Sequence, residues 1–107
     1  MNKKELVKKF VKKAFCHGNW ECGCDDDNGM YYNENQLADM VEKAMTSNEI
    51  KKYLYHDIEL WFSFNFYYNS AGNQCGKYND VELFIDDQYI KTIYTTYDEE
   101  YAKNWCK

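Results

Sequence analysis

A chain of 107 residues with net charge −5, 11 Tyr, 6 Phe, 3 Trp and no proline is long enough for one domain over 1–107 with a real core. Its acidic balance and complete lack of arginine argue against nucleic-acid binding, because phosphate affinity comes from counterion release by positive groups. No stretch approaches the roughly 20 apolar residues of a membrane span, and no continuous apolar region follows the lysine-rich start, so a cytoplasmic protein is expected.

The charge is unevenly spread. The first 13 residues carry +5, through Lys3, Lys4, Lys8, Lys9, Lys12 and Lys13 against Glu5, and the remainder carries −10. Leu6, Val7, Phe10, Val11, Ala14 and Phe15 recur at helical steps within that basic stretch, which predicts a first helix over about 3–17 capped by Asn2 and stopped by Gly18. A Gly/Asn/Asp-rich loop follows over 18–32. A second helix is predicted from about Asn35, with Leu37, Met40, Val41, Ala44 and Met45 on one face and the methionines as core filler. Ser47 or Asn48 caps a short third helix carrying Ile50, Tyr53 and Leu54.

Strand periodicity begins at Ile58. Ile58, Leu60, Phe62, Phe64 and Phe66 alternate with Glu59, Trp61, Ser63, Asn65 and Tyr67; after a loop over 69–77, "VELFI" and "QYIKTIY" continue as two more strands joined at Asp86 and Asp87. Short connections make the three strands antiparallel. Thr96 and Glu99 form a capping box for a C-terminal helix with Tyr97, Tyr101 and Trp105 on one side. The predicted fold class is therefore α+β: N-terminal helices, a three-stranded antiparallel sheet, a C-terminal helix and a zinc-stapled loop.

The staple is read from "CHGNWECGC". Structural zinc takes four soft ligands in a tetrahedron, and Cys16, Cys22 and Cys24 would supply three, with Gly23 allowing the tight turn between the last two. Cys75 in "NQCGK" is the preferred fourth ligand, because it would tie the sheet to the helix end; His17 is the alternative. In a reducing compartment five cysteines read as metal ligands or core thiols before disulfides, and Cys106 as a helix-face thiol. The calcium reading of "CDDDNGMYYNEN" fails, since Gly29 at the sixth position of an EF-hand loop places Cys24 and Asn35 where Asp and Glu are required. His56 and Asp57 are adjacent but lack a marked nucleophile, and no Gly-rich phosphate loop is present, so no enzyme is expected.

The acidic runs "ECGCDDDNG", "FIDDQY" and "YDEEY", on a short chain free of Arg and Pro and rich in Lys, Asn and Tyr, resemble the small anti-CRISPR inhibitors of phages and prophages. That resemblance implies an inhibitor that binds an RNA-guided nuclease, probing its positively charged channel with acid, and blocks guide or target engagement. The partner surface would comprise Asp25, Asp26, Asp27, Asp86, Asp87, Asp98, Glu99 and Glu100, with exposed Tyr and Trp as anchors, on a monomer that makes no direct nucleic-acid contact. Two other readings remain at this level: a zinc-stabilised bacterial adaptor domain, and a nucleic-acid-binding protein using the lysine helix.

Overall fold

A computed structural model describes residues 1–17 and 32–106. Among these residues the chain forms four helices and a four-stranded mixed sheet, an α+β arrangement. Helix α1 spans Lys3–Lys13, strand β1 Phe15–His17, α2 Glu34–Ala44, α3 Ser47–Tyr53, β2 Ile58–Tyr68, β3 Gln74–Ile85, β4 Gln88–Thr95 and α4 Glu99–Trp105.

The first helix is shorter than its periodicity suggests. Asn2 caps it by accepting from the Glu5 amide, and it closes at Ala14, whose extended backbone returns its N–H to the carbonyls of Phe10 and Val11. Phe15–His17 then leave the helix and pair in parallel with Glu59–Trp61, so the sheet has order β1-β2-β3-β4 in place of three antiparallel strands. The parallel pairing is sterically open because about 40 residues, including α2 and α3, separate β1 from β2. Aromatic Phe15 and His17 gain cross-strand neighbours in this pairing that a further helical turn would not supply.

The three N-terminal helices cover one face of the sheet. Leu6, Val7, Phe10 and Val11 of α1 meet Leu37, Met40 and Val41 of α2 and Ile50 of α3 over Ile58, Leu60, Phe62, Val81, Leu83 and Ile85. Both predicted methionine fillers, Met40 and Met45, are buried in this core. Capping boxes fix the helix starts: Asn33 with Gln36 for α2, and Thr46 with Glu49 for α3, one residue ahead of the expected Ser47.

The β2–β3 loop is tighter than expected. Asn69 closes it with its own backbone and side chain, and β3 begins at Gln74, so the last part of the predicted loop, 74–77, is strand. Asp86 and Asp87 both take positive φ, 50° and 66°, and make the two-residue hairpin turn into β4. The cap of α4 is Asp98, which accepts from the amides of Glu100 and Tyr101; the predicted cap Thr96 instead bonds Asn79 on β3.

Candidate interaction face

Strand alternation decides what the sheet shows to solvent. With Ile58, Leu60 and Phe62 turned toward the helices, Glu59, Trp61, Ser63 and Asn65 fall on the opposite face. Cross-strand pairing carries that face over all four strands. One row reads Phe15, Glu59, Phe84, Tyr89; the next reads His17, Trp61, Glu82, Thr92; a third reads Ser63, Asp80, Thr95.

The aromatic members of these rows touch in sequence. Phe15 lies 4.6 Å from His17, His17 stacks on Trp61 at 3.9 Å with planes 10° apart, and Trp61 and Tyr89 each lie 5.7 Å from Phe84. The result is an aromatic ribbon across the sheet, with Phe15 64%, Trp61 40% and Tyr89 53% exposed, too much apolar area for an ordinary polar sheet face.

Carboxylates are set into the ribbon. Glu59 Oε1 meets His17 Nε2 at 2.5 Å. Glu82 accepts from the Ser63 hydroxyl at 3.3 Å, and Asp80 accepts from Asn65 Nδ2 at 3.0 Å. Among the described residues neither Glu82 nor Asp80 has an ion-pair partner. At the ribbon's β1 end an open cleft of about 500 Å³ adds Tyr55, Asp57 and Asp87 beside Phe15 and Glu59. Lys13 reaches the same cleft, but its ammonium is already held by the Leu54 carbonyl and lies 4.9 Å from the centre of the Tyr55 ring.

The other end of this face is covered by α4. Tyr67 is packed among Tyr78, Tyr97 and Tyr101 at centroid distances of 4.9–5.3 Å, and its hydroxyl accepts from the Asp98 amide. Burial first, and the neighbouring Asp80 carboxylate second, push the Tyr78 phenol above its ordinary range. The Tyr101 hydroxyl donates to the Cys75 carbonyl at 2.7 Å, directly over Gly76, whose φ is +154°. A disulfide between Cys75 and Cys106 ties the end of α4 to β3.

This geometry dismantles the four-cysteine ligand set. Cys16 stands opposite Leu60, whereas Cys75 stands level with Tyr67 and Tyr68; seven residues at roughly 3.3 Å each separate them by about 23 Å along β2. Two ligands of one zinc lie about 4 Å apart, and Cys75 is in any case bonded to Cys106. The alternative fails on alternation, since Cys16 packs toward the core while neighbouring His17 faces the ribbon. Burial, then the Glu34 charge, raise the Cys16 thiol pKa, which disfavours a thiolate there. Cys22 and Cys24 lie outside the described residues, and among the described ones no group of three or more side chains is arranged to hold a metal.

The predicted partner residues do not form one patch. Asp86 and Asp87 sit at the β3–β4 turn, beside Asp57, while Asp98, Glu99 and Glu100 begin α4 near Tyr67, about nine residues or roughly 30 Å away along β2. Asp86 is occupied by His56 Nδ1 at 2.7 Å and by the Asp57 amide, and these bonds hold its carboxyl below the usual carboxylate range. Asp98 is occupied as a helix cap. Asp87, Glu99 and Glu100 remain exposed, and Asp25, Asp26 and Asp27 lie outside the described residues. Sequence reasoning missed Glu59, Asp80 and Glu82 as surface acids and Phe15, His17, Phe84 and Tyr89 as ribbon members. The available signal was Trp61 between Glu59 and Ser63 on what should have been the polar side of a strand.

No family model, curated protein or solved structure matches this chain.

Proposed function

We propose that the protein is a small non-enzymatic inhibitor that lays the ribbon face against a basic protein surface, of the kind an RNA-guided nuclease presents to nucleic acid. The observation that carries this reading is the carboxylates of Glu82 and Asp80, without an ion-pair partner among the described residues, set beside exposed Trp61 and half-buried Phe84 on one sheet face. Charge of this sign suits a lysine- and arginine-lined channel and repels phosphate. Aromatic rings at the centre supply the desolvated anchors on which interface affinity concentrates. Loss of target cleavage after preincubation of purified protein with RNA-guided nucleases, each loaded with guide, tests the reading; cleavage unaffected across such a panel contradicts it.

A nucleic-acid-binding role has one observation in its favour, the exposed Lys4, Lys8, Lys9 and Lys12 of α1. These lysines lie on the helical side of the molecule, away from the ribbon. A mobility shift with DNA that weakens steeply with salt, and that is lost when these lysines are replaced by glutamine, would favour it.

A further inference from the structure

The ribbon specifies more than a basic partner. Resting on the reading above, we infer that the face takes an extended segment bearing arginines at alternate positions, one guanidinium stacking on Trp61 while donating to Glu82 and the next donating to Asp80. Glu82 is the direct cross-strand neighbour of Trp61, so a planar cation lying on the indole reaches that carboxylate without leaving the ring. Phe84, Glu82 and Asp80 follow one another at every second residue of β3, a repeat of about 6.7 Å. An extended chain presents its own alternate side chains at the same repeat, and successive arginines of such a chain therefore meet successive carboxylates.

Guanidinium suits these positions better than ammonium. It is flat, weakly hydrated and forked, so it stacks and donates bidentately in one pose; a lysine ammonium at the same carboxylate must give up a tighter water shell and gains no stacking. His17 already shows that a flat nitrogen heterocycle is accepted against Trp61, at 3.9 Å with its Nε2 on the neighbouring Glu59. Stacked nucleobases would find the same rings, but their phosphates would face Glu59, Glu82 and Asp80 together.

The test is a titration of the isotopically labelled protein with two extended peptides of equal length and charge, one with Arg and one with Lys at alternate positions, followed by amide and Trp61 indole resonances. The arginine peptide is expected to shift Trp61, Phe84 and Glu82 and to bind about tenfold more tightly than the lysine peptide. Trp61→Ala and Glu82→Gln should each remove most of that difference, and neither side chain belongs to the buried core. Equal binding of the two peptides overturns the arginine inference while leaving a basic partner in place. Failure of both peptides to move ribbon resonances overturns the basic-partner reading as well. Shifts produced by a single-stranded oligonucleotide, or by raising protein concentration alone, would assign the face to nucleic acid or to a second copy of the chain and overturn the inference.

Discussion

Replacing Cys75 and Cys106 together by alanine removes the covalent tie between β3 and α4. The bond closes a loop with a sequence separation of 31, for which chain-entropy reasoning gives about 3.7 kcal/mol at 25 °C. Little in α4 can offset that loss, since none of its own residues is buried and it is otherwise held by the Tyr101 bond to the Cys75 carbonyl, the Tyr101 ring against Tyr67 and the Asp98 bond to Tyr67. At about 2.1 cal/mol/K per residue, unfolding of 107 residues carries an entropy near 225 cal/mol/K, so the melting temperature should fall by up to about 16 °C. Calorimetric melts of the oxidised protein, the reduced protein and the double alanine variant provide the assay, and the last two should agree. Alkylation supplies a second readout: Cys75 should become reactive after reductant and stay unreactive after chelator. A melt unchanged by reduction, or labelling of Cys75 released by chelator alone, would refute the disulfide and return Cys75 to a metal site.

Gly76→Ala should destabilise the protein by about 1–3 kcal/mol in a urea melt, because the added Cβ would lie 2.6 Å from the Tyr101 hydroxyl at a φ of +154°. Tyr101→Leu in the same chain should recover part of that loss, and a neutral Gly76→Ala would contradict the close approach of α4. The Asp86 carboxyl is held low by His56 first and by the Asp57 amide second. A lowered folded-state value means that its contribution to stability is present above the ordinary aspartate pKa and is lost as pH falls through the folded value. His56→Ala should therefore raise the Asp86 pKa in a carboxyl-carbon NMR titration, and an unmoved titration would show that the hydrogen bond is not made in solution. Phe10→Ala, in the fully buried centre of α1, should cost about 3–5 kcal/mol by denaturant unfolding; a loss below about 1 kcal/mol would mean that α1 does not seal the core.

The helices and the three long strands were legible because period and punctuation agreed. Leu6, Val7, Phe10 and Val11 repeat at helical steps, and Ile58, Leu60 and Phe62 alternate at strand steps; in each set the same residues are buried. What escaped was non-local. Phe15–His17 continue a helical hydrophobic pattern, and only the open edge of β2, more than 40 residues later, makes them a strand. Cys75 and Cys106 are 31 residues apart, and their meeting depends on α4 folding back over Tyr67, which no spacing rule encodes. The acidic runs stood out because they are contiguous. The ribbon's carboxylates are not contiguous: Asp80 and Glu82 alternate with buried residues on β3, Glu59 stands on β2, and cross-strand register sets them among the aromatic rings.

The most direct test of the account is inhibition of target-DNA cleavage by RNA-guided nucleases, measured for the wild-type protein and for Glu82→Lys and Trp61→Ala variants. Trp61 is 40% exposed and Glu82 lies on the solvent face, so both variants should keep the wild-type melting temperature within a few degrees. The account expects at least one nuclease to be inhibited by the wild type, and inhibition to fall about tenfold or more with either variant. A panel with no inhibited nuclease, or inhibition that survives both substitutions unchanged, would contradict the assignment of the ribbon as the working surface.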